Sequence, residues 1–143
     1  MTHEADLQKL IDFFESISPD SARTLSRIYT EDVWFKDPFN EVTGLDAVSR
    51  IFTHMFVQVD APRFVVTKHV LQGEHAFLTW DFLFRMKRGS GAEQCIRGAT
   101  HLHFAADGRV DFHRDYWDAA EELYEKLPVL GALMRWLKRK ARR

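Results

Sequence analysis

Apolar residues recur at Leu7, Leu10, Ile11, Phe14 and Ile17, the three-and-four spacing of an amphipathic helix with one buried stripe. Ser18-Pro19 restarts the chain, serine as N-cap and proline at the first helical position, and Ala22, Leu25, Ile28 and Tyr29 then supply the inner face of a second helix. Val33 to Asp37 is β-branched and aromatic and stops at Pro38, which predicts a short strand ending in a turn. Thr43 and Asp46 form a capping-box-like pair ahead of Leu45, Val48, Ile51, Phe52, Met55 and Phe56, a third helix. From Pro62 the period changes from helical to alternating. Strands are expected at about 63–72, 75–87, 94–105 and 109–117, with no helix between them, so the sheet should be antiparallel and curved. Asp118 and Glu121 cap a C-terminal helix carrying Leu123 and Leu127, and Pro128 can open a further one with Leu130, Met134 and Leu137. The pattern is that of one α+β domain over residues 1–127, followed by a basic amphipathic helical extension over 128–143.

The hairpin at Ala106-Asp107-Gly108-Arg109 sets the register of the last two strands, because Asp-Gly between apolar runs marks a two-residue turn. Pairing Ala106 with Arg109 puts Phe104 opposite Asp111, Leu102 opposite His113, Thr100 opposite Asp115 and Gly98 opposite Trp117. Opposed residues share a face. One face thus carries Thr100, Asp111, His113, Asp115 and Trp117, and the other His101, His103, Phe112, Arg114 and Tyr116. Either the first face lines the concave side, with His113 and Asp115 in an aromatic hollow, or it is solvated and Phe112 and Tyr116 are core. Trp80, Phe82 and Phe84 alternate on one face of the central strand and are core or pocket residues.

Composition narrows the reading further. A chain of 143 residues, 45% hydrophobic and 13% aromatic, is long enough for one core and too short for two ordinary domains. The single Cys95 excludes an intramolecular disulfide and points to a reducing compartment. With neither a signal-like N-terminus nor an uncharged run of about 20 residues, the expected location is cytoplasmic. The net charge of −1 hides an acidic body and a basic end. Nucleic acid is not an expected partner for such a body, whereas the stretch from Leu133 to Lys140 suits a solvated helix end, an anionic membrane surface or a protein contact. His101 and His103 share a face, but His113 lies on the other and no third ligand is evident, so neither a metal nor a cofactor is inferred. Arg97 and Arg114 fall on the outer face, within reach of Asp81 or Asp118 across strands.

Trp34-Phe35-Lys36-Asp37-Pro38, followed by Val42-Thr43-Gly44 and a helix, resembles the strand, Asp-Pro turn and helix start of ketosteroid isomerases and SnoaL-like polyketide cyclases. His113-Arg114-Asp115-Tyr116-Trp117-Asp118 is similar to the last strand of bacterial members of that superfamily, which includes nuclear transport factor 2. The resemblance implies a cone: a curved sheet wrapped around three helices, open at one end and commonly paired into a homodimer through its outer face. It makes Asp37 the counterpart of the isomerases' general base, and Asp115, by position, the counterpart of the acid or base carboxylates of polyketide cyclases and limonene epoxide hydrolases. The phenolic donor of ketosteroid isomerases falls on Phe13 and their protonated carboxylic acid on Thr100, so their oxyanion hole does not carry over.

Asp37, His113 and Asp115 are accordingly the candidate catalytic residues, with Phe13, Phe35, Trp80, Phe82, Thr100, Leu102 and Trp117 as candidate pocket residues. A carboxylate in an apolar pocket beside a histidine is expected to share its proton and to suit general acid/base work near neutral pH. Asp37 has a simpler alternative role, ordering the turn before Pro38. The expected function is binding of a small hydrophobic molecule, with cofactor-independent isomerase, cyclase or hydrolase chemistry, or else a non-catalytic ligand-binding or dimerisation module.

Overall fold

In the computed structural model, which describes residues 2–87, 91–122, 136–137 and 139–141, the alternating segments form one curved sheet and the helical ones fill its hollow. Helix α1 runs Glu4–Glu15 and buries Leu7, Leu10, Ile11 and Phe14. Strand β1 (Tyr29–Lys36) and the short β2 (Glu41–Thr43) follow, then α2 (Leu45–Gln58). The meander is β3 (Val59–Gln72), β4 (His75–Met86), β5 (Glu93–Phe104) and β6 (Val110–Tyr116), and α3 covers Ala119–Glu122.

The sheet order is β2-β1-β6-β5-β4-β3. All neighbours are antiparallel except β1 and β6, which run parallel with Phe35 beside His113. The parallel pair arises because the meander turns back on itself and delivers its last strand against the first. Register shifts in β3, one of them beside Ala61 at φ 50, and another between β5 and β6 bend the sheet, since a bulge bends its strand and increases the local twist.

Three local expectations change. The second helix is two 3₁₀ segments, Pro19–Arg23 and Leu25–Arg27. Leu25 and Ile28 stay buried, as a three-residue spacing allows, but Tyr29 already belongs to β1: it stands beside Val110, whose N–H donates to the Ile28 carbonyl at 2.7 Å. Thr43 does not cap α2, because it pairs with Trp34 in β2; Gly44 takes the N-cap at φ 103, its N–H bonded to the Val33 carbonyl. The Asp-Gly hairpin closes one residue earlier than a two-residue turn would. Ala105 N–H donates to the Arg109 carbonyl at 2.7 Å, leaving a three-residue loop with Gly108 at φ 87. Phe104 therefore faces Val110, and a bulge at Asp111 restores the count, so Leu102 faces His113 and Thr100 faces Asp115 as expected. Asp111 itself leaves the inner face and bonds His103 on the outer one at 2.6 Å.

Asp118 does cap α3, accepting the Glu121 N–H at 3.0 Å. Arg97, expected to meet Asp81 or Asp118, instead bonds Glu122 at 2.9 and 3.0 Å, and Arg114 stacks on Tyr116. Of the basic extension, Trp136, Leu137 and Arg139–Ala141 are helical and exposed; Leu123, Leu127, Leu130, Met134 and the rest of that expectation lie outside the described residues. No helix among the described residues is long and apolar enough to cross a membrane.

Candidate functional site

The first of the two face assignments is the one realised. Helices α1 and α2 lie on the concave side, so the residues of β4, β5 and β6 that point inward meet Phe14 and Phe52 rather than solvent. What the helices leave unfilled is a cavity of about 160 Å³. Its wall is mainly aromatic: Phe64 stacks on Phe82 with centroids 4.5 Å apart, stands edge-on to Trp80 at 5.6 Å and meets Phe14 at 5.6 Å. Phe35, Trp117 and aliphatic side chains of α2 complete it.

Into this wall a single run of polar groups is built from four strands. Trp80 Nε1 of β4 donates to Thr100 Oγ1 of β5 at 2.7 Å. The Thr100 hydroxyl donates to Asp115 Oδ1 of β6 at 2.6 Å. His113 Nε2 stands 2.7 Å from the same oxygen, and His113 Nδ1 lies 2.8 Å from Tyr29 Oη of β1. Thr100 and His113 are each 4% exposed and Tyr29 is 0% exposed, so the interior of the run is sealed from water. Burial pushes the Tyr29 phenol well above its ordinary pKa, with the Asp115 charge adding to the effect; it stays an O–H donor. The His113 ring is held between Phe35, centroids 4.7 Å apart, and Phe14 at 6.1 Å.

Asp115 is where this run meets the cavity. Its Oδ1 takes both hydrogen bonds, and among the described residues Oδ2 takes none. Trp80 donates to Thr100, Thr100 donates to Asp115, and His113 Nε2 stands against the same carboxylate oxygen, so among the described residues the rest of the wall offers a ligand mostly carbon.

Asp37 also borders the cavity, but its carboxylate is committed to the turn. Oδ1 accepts the backbone N–H groups of Phe39 at 2.8 Å and Asn40 at 2.7 Å, and the Asn40 side-chain amide reaches both oxygens. The Asx-type turn from Asp37 through Pro38 to Asn40 is thus its visible role. Phe35, Trp80, Phe82, Thr100 and Trp117 line the cavity with Asp37, His113 and Asp115. Two expected members do not. Phe13 is one position off the inward stripe of α1 and packs edge-on against Phe14, which takes its place; Leu102 is wholly buried in the core. Sequence reasoning missed Tyr29 and Phe64. A tyrosine placed among helical positions carries no sign that it will start a strand, and Phe64 is one of several apolar positions in β3 with nothing local to set it apart.

On the outer face, His75 Nδ1 lies 2.9 Å from His101 Nε2, and His103 bonds Asp111 and Glu74. Among the described residues no group of three such side chains is arranged to hold a metal ion.

The SnoaL-like domain family matches residues 10–113. The chain belongs to that family. This SnoaL-like domain also shares its fold with solved structures of low identity. TsrD from Streptomyces laurentii is 18% identical with a TM-score of 0.73, over 90% of this chain and 97% of that one. A hypothetical protein with a ketosteroid isomerase-like fold from Catenulispora acidiphila DSM 44928, solved with trimethylamine, is 18% identical with a TM-score of 0.70, over 86% and 92%. A protein assigned to the SnoaL-like polyketide cyclases from Shewanella denitrificans OS-217 is 18% identical with a TM-score of 0.69, over 84% and 97%. No curated protein matches the sequence.

Proposed function

We propose that this SnoaL-like domain binds a small, largely apolar molecule in its cavity and moves a proton on it, with Asp115 as the reacting group and His113 as its support. The reaction class is isomerisation, cyclisation or hydrolysis without a cofactor. The observation that carries the reading is Asp115 itself: a carboxylate bordering the cavity whose Oδ1 is fixed by hydrogen bonds to two buried groups, while Oδ2 takes none among the described residues. Burying such a group costs several kcal/mol unless it is paired, and here the pairing holds one oxygen and spares the other. A volume near 160 Å³ suits a compact molecule of about one substituted ring.

A second reading, a binding module without turnover, has its own support. The lining donors Trp80 and Thr100 are already engaged, and α1 faces the cavity with Phe14, so among the described residues that line it no free hydroxyl donor awaits a developing oxyanion. Exposed aromatic residues on the outer face, Phe77 and Tyr116, support pairing of two copies there.

Asp115→Asn separates the readings, tested against a panel of single-ring enolisable ketones and epoxides. For the enzyme, turnover of the accepted compound falls roughly 10² to 10⁴-fold with little change in affinity. For the module, only affinity responds, by about 1 to 3 kcal/mol. Turnover unchanged in the variant would remove Asp115 from the chemistry.

A further inference from the structure

The two ends of the buried run are both hydrogen donors, and this fixes the protons between them. At one end the Trp80 indole can only donate, so Thr100 Oγ1 accepts from it and turns its own hydrogen to Asp115 Oδ1. At the other end the Tyr29 hydroxyl is wholly buried, and among the described residues His113 Nδ1 is its one hydrogen-bond partner. If Nδ1 carried a hydrogen, the Tyr29 O–H would have no acceptor, and an orphaned buried donor is costly. The phenol therefore donates to Nδ1, and the ring carries its hydrogen on Nε2, where it points at Asp115 Oδ1. Both supports then give hydrogens to the same carboxyl oxygen, which leaves Oδ2 as the one oxygen of Asp115 able to take up a proton.

We propose that Tyr29 is a positioning residue that fixes His113 in its Nε2–H tautomer, and so makes Asp115 Oδ2 the atom at which the cavity accepts a proton from a neutral or cationic ligand. This rests on the reading of Asp115 as the reacting group and goes beyond it, because it replaces a proton shared between Asp115 and His113 by a carboxylate base with a neutral imidazole behind it. The step is a transfer: the ligand's C–H, N–H or O–H bond breaks, its electron pair stays on the ligand, the proton joins Oδ2, and it returns to another atom of the same molecule. Titratable groups facing the imidazole are Tyr29 on β1 and Asp115 on its own strand, with Asp37 bordering the same cavity; α1 and α2 present Leu10, Phe14 and Phe52. Among the described residues no cation lines the wall, so they offer an anionic ligand no counter-charge there.

The test reads the ring nitrogens of His113 in the full chain, without ligand, by long-range ¹H–¹⁵N correlation at pH 7. The expected spectrum has a protonated Nε2 and an unprotonated Nδ1, with a through-bond coupling from the Tyr29 hydroxyl proton to Nδ1. Tyr29→Phe should lose that coupling and move the ring toward the tautomer mixture or the imidazolium pattern. A wild-type spectrum with Nδ1–H, or with both nitrogens protonated, overturns the proposal; so does a Tyr29→Phe spectrum identical to wild type. If Tyr29→Phe does not fold, the wild-type spectrum and its coupling decide alone. Failure of the functional reading shows separately, as unchanged turnover in Asp115→Asn.

Discussion

Gly98 and Trp80 are direct cross-strand partners, and the indole of Trp80 lies where any side chain on Gly98 would stand. A Cβ built at Gly98 runs into the six-membered ring of the indole. The glycine thus lets the large ring lie flat across β5, which brings Nε1 to Thr100 two residues further on. The polar run that passes through Asp115 begins with this close approach.

Gly98→Ala should therefore displace Trp80 without altering any polar group. The expected cost is about 1 to 3 kcal/mol of stability from overpacking, with a shift of the Trp80 indole N–H resonance as its bond to Thr100 weakens. Calorimetry and an indole-region NMR spectrum check both. An unmoved Trp80 resonance would show that the wall adapts elsewhere.

Thr100→Val removes one oxygen that serves two neighbours. It leaves the Trp80 N–H without its acceptor and takes one hydrogen bond from Asp115, so a loss of about 1 to 3 kcal/mol is expected in denaturant unfolding. Thr100→Ser, which keeps the hydroxyl, should recover most of it. Equal losses in the two variants would show that the hydroxyl contributes no more than the methyl group.

The outer-face histidines give a pH dependence with a definite sign. The hydrogen bond to Asp111, joined by that to Glu74, raises the His103 pKa above 6.5 against its partial burial. A raised folded value means that the stabilisation is complete below the unfolded pKa and lost as pH rises through the folded one. His103→Gln should then cost more at pH 5.5 than at pH 8.5, by less than about 1 kcal/mol because the pair is near solvent. Neighbouring His101 works in the opposite sense. Burial first, then His75 and His103, lower its pKa, so it withdraws stability as pH falls below 6.5. Paired unfolding curves of the wild type and His103→Gln isolate the first effect, and an equal difference at both pH values would contradict it.

Self-association through the outer sheet face is the outcome expected of its exposed aromatics, with Phe77 at 45% and Tyr116 at 49% exposure. Light scattering at micromolar concentration should give a dimer, and Phe77→Glu should shift it toward monomer without changing the far-ultraviolet spectrum. A wild-type monomer would leave that face without the proposed partner.

Local sequence was enough to place α1, α2, the four strands of the meander and the facing of Thr100 with Asp115, because those features depend on period and on counting back from one turn. The count even survived an error: the hairpin closes a residue early and the bulge at Asp111 gives that residue back. What local pattern does not contain is which side of the sheet the helices cover. That was decided by α1 and α2 packing on the concave face, which buried His113 and left Phe77 and Tyr116 outside. Nor could it contain Tyr29. Its neighbours Leu25 and Ile28 keep a helical spacing, and only pairing with β6, more than eighty positions away in the chain, makes Tyr29 a strand residue and brings its hydroxyl to His113. Periodicity is a property of neighbours along the chain, whereas the order of donors and acceptors around Asp115 is set by four strands meeting in space, and only the folded sheet brings them together.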